Sequence, residues 1–255
     1  MKVRILGSGT STGVPVLGCQ CEVCRSTDPK NHRTRASILI TTAHGHNILV
    51  DTPPEMRLQL LAAGVRQLSA VIYTHMHADH TQGFDDLRAF YFHTKKPVPI
   101  YVLPDYEEEI KSRFRYAFED TGYIGTRPHV DLRLIPEEPF IIEDQLIDPA
   151  PLPHGNVRSC ALRFGRFAYA TDFKEFSADQ IAAWREHVEI MVASGVHFRS
   201  HPTHSNIPET IELFNKMGVK KGILSHLSHE VDFTRDSKNL PESVSLSYDG
   251  MVIDL

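Results

Sequence analysis

The sequence predicts an α/β fold in which short apolar strands alternate with helices. Three observations support this prediction. Short β-rich runs recur along the chain and are separated by helical patterns. No Pro/Ser-rich linker, low-complexity segment or internal repeat interrupts that alternation. A chain of 255 residues with 41% hydrophobic and 23% charged side chains can also bury a sizeable core. We therefore predict one domain spanning residues 1–255.

The first part of the chain predicts five strands and three helices. We expect the strands at Val3–Leu6, Ser37–Thr41, Ile48–Val50, Ala70–Tyr73 and Ile100–Val102. We expect the helices at Pro54–Ala63, Gly83–Phe92 and Tyr106–Phe118. His44-Gly45-His46 is typical of a hairpin turn, because Gly45 supplies the backbone freedom that a tight turn needs.

The second part predicts a similar alternation. The stretch Gly122–Pro153 is rich in Pro, Asp and Glu, and we assign no element to it. Strands are expected after it at Ser159–Phe164, Phe167–Ala170, Ile190–Ala193, Gly222–Leu224, Val244–Leu246 and Met251–Ile253. Helices are expected at Ala178–His187 and Pro208–Met217.

Charge and hydropathy argue against several classes of partner. The formal net charge of -5 gives no basic footprint for nucleic acid. The apolar run at the N-terminus is shorter than the roughly 7–15 residues of a signal-peptide core. No stretch approaches the ~18 apolar residues of a membrane span. We therefore expect a cytoplasmic protein without a membrane or nucleic-acid partner, and the sequence leaves a homodimer open.

A dense group of metal-ligand residues follows the strand expected at Ala70–Tyr73. His75, His77, Asp79 and His80 lie within six positions. Side chains two apart in an extended loop share a face, so His75 and His77 can meet one metal while Asp79 and His80 face a second. Imidazoles and carboxylates suit zinc, manganese and iron. The pattern predicts a two-metal site.

The motif and three later residues resemble the metallo-β-lactamase superfamily. His154, Asp172 and His226 match the family's later ligands in order and spacing. The resemblance covers essentially the whole chain and implies a four-layer αββα sandwich that binds two divalent ions, zinc or manganese. It implies that His75, His77 and His154 hold the first ion, that Asp79, His80 and His226 hold the second, and that Asp172 bridges them. Asp51 matches a further family aspartate, whose expected role is to orient ligand N–H groups.

A second metal site is predicted from the cysteines. In a reducing compartment, the crowding of Cys19, Cys21 and Cys24 indicates metal binding in a loop at about 19–24 rather than a disulfide. A structural zinc usually has four protein ligands, and His229 is free to be the fourth if His226 serves the active site. Cys160 stands apart and is expected in the core.

The opening Gly7–Pro15, the cysteine cluster and the pair His226 and His229 together resemble the PhnP family of cyclic-phosphate phosphodiesterases. This resemblance implies a small phosphodiester substrate such as a phosphoribosyl 1,2-cyclic phosphate. It also implies a structural zinc at Cys19, Cys21, Cys24 and His229. It assigns His204 to the scissile phosphate, although His197 and His201 crowd the same loop.

These residues suggest a mechanism. Two ions would lower the pKa of a water and neutralise phosphate charge. We assign catalytic roles to His204, as proton donor to the leaving alkoxide, and to Asp79. Arg199 and Lys174 could supply positive charge to a phosphate, but a solvated surface role is the stronger interpretation. For the Gly7–Gly13 loop, a tight turn is at least as good an interpretation as phosphate contact.

Four other functions remain as alternatives. An RNA 3′-processing nuclease of the same fold would have a basic, Gly-rich arm, which this sequence lacks. PqqB-like proteins share a similar cysteine cluster, and other metallo-hydrolases such as lactamases and thioesterases share the two-metal core. A non-enzymatic zinc-binding protein with an inactive hydrolase site is disfavoured. Such inactive sites commonly lose metal ligands, whereas all seven candidate active-site ligands are present here.

Overall fold

Two seven-stranded mixed sheets form the frame of the molecule in the computed structural model, which describes residues 1–119, 122 and 125–255. The strands of the first sheet are β1 Lys2–Gly7, β2 Ser37–Thr41, β3 Asn47–Val50, β4 Ala70–Ile72, β5 Val98–Val102, β6 Val130–Leu134 and β14 Val252–Asp254. The strands of the second sheet are β7 Phe140–Ile142, β8 Gln145–His154, β9 Val157–Phe164, β10 Phe167–Ala170, β11 Ile190–Ser194, β12 Lys221–Ser225 and β13 Val244–Leu246.

Each sheet contains a parallel half. The strand orders are β14-β1-β2-β3-β4-β5-β6 and β13-β12-β11-β10-β9-β8-β7. Strands β3 to β6 run parallel to one another, as do β10 to β13, and the remaining pairs are antiparallel. Neighbouring parallel strands end on the same side of a sheet, and binding residues commonly gather in the loops at these carboxyl ends.

Helices flank the two sheets. They are α1 Met56–Ala62, α2 Ala78–Thr81, α3 Arg88–Thr94, α4 Glu107–Arg113, α5 Arg115–Phe118, α6 Ala178–Trp184, α7 Ile207–Met217 and α8 Phe233–Ser237. Phe167 and Tyr169 of β10 belong to the core between the sheets, whereas Ala168 and Ala170 belong to the layer with α6 and α7. Because side chains alternate along a strand, β10 is buried on both faces. The predicted four-layer αββα arrangement is confirmed.

Most predicted elements form, with small changes at their ends. The helix expected at Tyr106–Phe118 is interrupted at Phe114, where φ −114° and ψ 37° leave the helical region. The helix expected at Ala178–His187 ends at Trp184, because Arg185 takes ψ 138°. Among the described residues, no helix combines the length and the apolar character needed to cross a membrane.

The Pro-rich middle stretch contains elements that the sequence analysis did not assign. Strand β8 runs through Pro149, Pro151 and Pro153, which lie on alternate positions and pair with β9 on one side only. Proline lacks an N–H group and is tolerated at such an open edge. Two residues of the stretch, Tyr123 and Ile124, lie outside the described residues.

Candidate metal centre and active site

The predicted metal ligands meet where strands of both sheets end. His75 follows β4, His154 is the last residue of β8, Asp172 follows β10 and His226 follows β12. All four side chains are buried. The two sheets therefore bring together residues from four distant parts of the chain.

The His75–His80 motif is part extended chain and part helix. His77 is extended, with φ −63° and ψ 152°, and forms the N-cap of α2. Asp79 and His80 lie on that helix, which differs from the fully extended loop expected from the sequence. The turn into α2 separates the two halves of the motif, so that His77 stays exposed while His80 is fully buried.

The structure gathers the predicted ligands into overlapping groups whose donor atoms lie within 4.8 Å of one another. These groups are His75 with His77 and His154, Asp79 with His80 and His226, His75 with His80 and Asp172, and His154 with Asp172 and His204. The first two are the sets that the sequence analysis assigned to two separate metals. Their metal-binding role stays a prediction, and their proximity agrees with it.

Asp172 lies between the two sets. Its Oδ2 is 3.1 Å from His80 Nε2 and 3.3 Å from His226 Nε2. Its Oδ1 faces the other set, 3.9 Å from His154 Nε2. One carboxylate thus directs one oxygen to each set, which is the arrangement that a bridging ligand requires.

The imidazoles fit divalent cations chemically. His75 Nε2, His80 Nε2 and both ring nitrogens of His226 are buried and form no hydrogen bond within the described part of the chain. A buried polar atom without a partner costs about 1–3 kcal/mol. Neutral imidazole nitrogens and carboxylate oxygens are suitable zinc ligands, so cations at these positions would satisfy one orphaned nitrogen of each of these rings.

Burial and charge set the protonation of the cluster. Burial lowers the pKa of His75 and of His226, which favours the neutral, ligating form. Burial also opposes the charge on His80, but the carboxylates of Asp51 and Asp172 outweigh it and raise the His80 pKa. The pKa of Asp172 falls well below its usual range because His226 and His80 outweigh the effect of its burial. Asp172 is therefore ionised at neutral pH.

Asp51 supports the motif from behind. Its carboxylate accepts hydrogen bonds from Thr74 N at 2.8 Å, Thr74 Oγ1 at 2.9 Å and His80 Nδ1 at 2.7 Å. The bond to His80 Nδ1 directs Nε2 towards Asp172. This geometry agrees with the predicted orienting role of Asp51.

Of the three histidines that crowd the later loop, His204 lies nearest the candidate ligands. Its Nδ1 is 3.4 Å from Asp172 Oδ1, and its ring contacts that of His154 at 4.6 Å between centroids. His197 is buried and bonds the Arg199 carbonyl instead. His201 Nδ1 accepts the backbone N–H of His204 at 3.2 Å. Burial lowers the pKa of His204 to about 3, so its imidazole is neutral in the protein alone.

The remaining candidates near the site fall into two groups. Lys174 and Arg199 are engaged by Glu209 at 2.9 Å and Glu230 at 2.7 Å rather than free to meet a phosphate. The Gly7–Gly13 loop borders the centre, because Ser8 O accepts the backbone N–H of Leu227, next to His226. Contact between this loop and a phosphate stays a prediction.

The cysteine cluster forms around His229. His229 Nδ1 is 3.3 Å from Cys19 Sγ, 3.5 Å from Cys21 Sγ and 3.6 Å from Cys24 Sγ. A backbone hydrogen bond from Cys24, with side-chain bonds as lesser causes, lowers the pKa of Cys21 to about 6 despite partial desolvation. Three sulfur atoms and one imidazole around a common centre suit zinc. Cys160 is fully buried, as expected of a core residue.

Two arginines hold the loops that carry the predicted metal ligands, and neither arginine was identified from the sequence. Arg113 of α4 donates to Met76 O and to Thr81 Oγ1, so it contacts the motif near both ends. Buried Arg33 donates to Ser228 O at 3.0 Å and Val231 O at 2.8 Å, on the loop that carries His226. Neither arginine lies in a motif, so only the folded arrangement reveals these contacts.

Comparison with known proteins agrees with this geometry. The family model described as a beta-lactamase superfamily domain matches residues 46–227, which include every candidate active-site ligand. The chain belongs to the metallo-β-lactamase superfamily. A solved structure described as a new diphosphatase from the PhnP family superposes on this superfamily member with a TM-score of 0.91 and 31% identity, over 100% of this chain and 97% of that one. The resemblance to the PhnP family is therefore confirmed.

Two curated relatives carry other names. A protein named octanoyltransferase from Porphyromonas gingivalis is 36% identical over 98% of this chain and 51% of its own length. Coenzyme PQQ synthesis protein B from Methylococcus capsulatus is 28% identical over 51% of this chain and 45% of its own length. The chain thus spans about half the length of these relatives. Together the comparisons identify a hydrolase fold and leave the substrate open.

Proposed function

We propose that this metallo-β-lactamase-fold protein is a dinuclear metal-dependent phosphodiesterase that hydrolyses small, including cyclic, phosphodiesters. The position of Asp172 carries the proposal, because its two oxygens face two separate ligand sets. The full-length similarity to a PhnP-family diphosphatase supports phosphorus as the site of attack. The formal net charge of -5 disfavours a polyanionic nucleic acid as the substrate.

The proposed centre divides the work among a few residues. When bound, two divalent cations lower the pKa of a nucleophilic water and neutralise charge on the phosphate oxygens. His75, His77 and His154 would hold one cation, and Asp79, His80 and His226 the other. Asp172 would join the two, and Asp51 keeps His80 turned towards Asp172. Exposed His77 marks the side from which a substrate reaches the centre.

His204 is proposed to contact the substrate rather than a metal. Its imidazole is neutral before substrate binds, and a neutral imidazole still donates one N–H hydrogen bond. We assign that N–H to the leaving oxygen of the diester, where negative charge develops as the P–O bond breaks. A preorganised hydrogen-bond donor aimed at developing negative charge contributes about 10²–10³-fold in kcat.

The structural metal belongs to the same proposal. We assign a zinc ion to Cys19, Cys21, Cys24 and His229, whose donor atoms lie within 4.8 Å of one another. This ion would tie the N-terminal loop to the loop that carries His226. The Cys21→Ser protein should contain about one zinc fewer per chain by elemental analysis, whereas Cys160→Ser should keep its full content. An unchanged zinc content in Cys21→Ser would remove the structural site.

Octanoyl transfer is the competing function that a relative's name suggests. The relative is about twice as long as this chain, and we assign octanoyl transfer to the half that this chain does not match. The buried Cys160 is poorly suited to carry an acyl group, because burial raises its pKa to about 12. The other three cysteines surround His229.

The deciding experiment is a substrate panel with protein reconstituted with zinc or manganese. The panel contains a ribose cyclic phosphate, an aryl phosphodiester, a diphosphate ester, a β-lactam, a glutathione thioester and an octanoyl thioester. We expect metal-dependent cleavage of the phosphodiesters, abolished by Asp172→Ala and retained by Asp254→Ala, whose side chain is 81% exposed. Activity confined to the thioesters or the lactam would refute the phosphodiesterase assignment and keep the metal centre.

A further inference from the structure

Lys174 occupies an unusual position beside the candidate centre. It lies two residues after Asp172, and its partly exposed ammonium contacts a neighbouring loop. Nζ donates to His201 O at 3.1 Å and His204 O at 3.4 Å. It also meets both carboxylate oxygens of Glu209, at 3.0 and 2.9 Å. Three N–H groups are thus shared among four oxygens, which leaves no donor directed at a substrate phosphate.

The loop that Lys174 binds is the one that carries His204. Between residues 201 and 206 the chain has no regular structure, so its conformation depends on side-chain bonds. His154 Nδ1 is 3.1 Å from Thr203 O. His201 Nδ1 accepts the N–H groups of Thr203 at 3.3 Å and His204 at 3.2 Å. Lys174 contributes the bonds to the carbonyl groups of His201 and His204, which are the first and last residues of the turn formed by residues 201–204.

Lys174 also joins this turn to helix α7. Glu209 closes a capping box with Asn206, in which Asn206 Oδ1 accepts Glu209 N at 2.9 Å and Glu209 Oε2 accepts Asn206 N at 3.1 Å. The same carboxylate holds Lys174. The backbone N–H of Lys174 donates to Pro153 O at 2.8 Å, next to His154. Lys174 therefore connects the chain segments of His154, Asp172 and His204 to one helix.

We propose that Lys174 is a positioning residue that sets the place of His204 against the substrate and does not bind the phosphate itself. This inference rests on the proposed function, in which His204 donates to the leaving oxygen. It explains why a lysine stands beside an anion-binding centre with its charge already paired. The carboxylate of Glu209 already neutralises the charge of Lys174, so Lys174 has little attraction left for a phosphate.

The consequence concerns leaving groups. A displacement of about 1 Å in a group that contacts the reacting atoms can cost about 10²-fold in rate. Donation from His204 matters most when the leaving alkoxide is poor and least when it is a stabilised aryloxide. Loss of Lys174 should therefore slow alkyl diesters far more than aryl diesters, and it should leave the metal content unchanged.

The test compares turnover on an alkyl and an aryl phosphodiester with the zinc-loaded protein. We expect Lys174→Met to lower kcat on the alkyl ester ~10²-fold and on the aryl ester at most a few-fold, with Lys174→Arg recovering most of the loss. Lys216→Met is the matched control, because Lys216 forms an ion pair with Glu212 elsewhere on α7. Equal losses of Lys174→Met on both esters, or no loss on either, would overturn the proposal.

A second measurement is independent of turnover. In the metal-free protein, the imidazole ¹H–¹⁵N NMR signals of His204, assigned with His204→Ala, should shift in Lys174→Met and stay in place in Lys216→Met. Glu209→Gln retains a capping side chain and should shift the same signals if Lys174→Met fails to fold. Unmoved His204 signals in both Lys174→Met and Glu209→Gln would overturn the positioning role.

The two proposals can fail separately. If His204→Ala loses no more activity on the alkyl ester than on the aryl ester while metal-dependent cleavage persists, the role of His204 as donor is wrong. The NMR shift then still decides whether Lys174 positions that ring. If His204→Ala loses more activity on the alkyl ester than on the aryl ester and Lys174→Met does not, only the inference about Lys174 fails.

Discussion

At the scale of single residues, three residues of the candidate centre adopt left-handed backbone conformations, which residues other than glycine rarely adopt. Asp51, Asp172 and His226 have positive φ values of 64°, 52° and 55°. Such conformations cost of order 1–3 kcal/mol each and persist where surrounding contacts over-determine them. Here Asp51 accepts three hydrogen bonds, and Asp172 N donates to Ser194 Oγ at 2.8 Å. The strained turns direct all three side chains towards the centre as their strands end.

The role of Asp51 can be tested by removing its charge. The amide introduced by Asp51→Asn would offer one acceptor oxygen where the carboxylate serves Thr74 and His80 with two, so His80 would lose its fixed orientation. We expect Asp51→Asn to weaken binding of one active-site metal about 10–100-fold, as for other residues that orient ligands. Competition with a chromophoric chelator measures this change, with Asp254→Asn as the control. An affinity equal to that of the unmodified protein would contradict the role of Asp51.

At the scale of elements, helices hold the loops that carry the candidate site residues. Helix α4 presents Arg113 to the motif, where Thr81 Oγ1 also donates to His77 O at 3.0 Å. Helix α7 begins at the turn that bears His204 and packs against β12, which leads to His226. The contact of α7 with β12 is close because Gly222 has no side chain. A Cβ at Gly222 would overlap the ring of Phe214.

This close approach predicts a specific packing defect. Gly222→Ala should lower the free energy of unfolding by about 1–3 kcal/mol, because the added methyl group overpacks the contact with Phe214. Phe214→Leu should also destabilise the protein when made alone. The double variant should lose less than the sum of the two single variants, because the shorter leucine makes room. Chemical denaturation measures all three, and strict additivity would exclude the steric coupling.

At the scale of the whole molecule, one loop links the two candidate metal sites. His226 points into the active centre, and His229, three residues later, meets the cysteine cluster. Arg33 fastens the same loop through two carbonyl groups while it is itself buried. Desolvation lowers the pKa of Arg33 to about 10, so its guanidinium stays charged at neutral pH. Metal at either site would therefore restrain the same segment.

Removal of metal should accordingly destabilise the fold. A ligand at 100 times its Kd stabilises the folded state by about 2.7 kcal/mol, and 1 kcal/mol corresponds to about 2–4 °C in Tm for a chain of this size. We expect a chelator to lower Tm by several degrees in the unmodified protein and by less in Cys21→Ser, which has already lost one site. A Tm unchanged after complete metal removal, verified by elemental analysis, would contradict this link.

The sequence by itself predicted the candidate metal ligands and the fold class. His75, His77, Asp79 and His80 lie close together in the sequence, and their residue types are those of metal ligands. Both features can be recognised from the sequence alone. The alternation of strands and helices is equally local, because side-chain periodicity follows backbone geometry. The cysteine cluster was legible for the same reason. Its distant partner His229 was named because His226 is expected in the active site and because the PhnP resemblance implies it.

Only the tertiary structure decided which residues outside the motifs support the centre and how the crowded histidines are arranged. The family resemblance favoured His204, but His197 and His201 lie in the same loop, and only their burial and hydrogen bonds separate the three histidines. The roles of Lys174 and Arg113 depend on backbone carbonyl groups of other segments, which leave no signature in residue type. Strand β8 was missed because its prolines lie where the strand pairs on one side only, and such an open edge tolerates proline, whereas a strand paired on both sides does not. Local pattern encodes chemistry and periodicity, whereas the pairing of remote segments is a property of the packed chain.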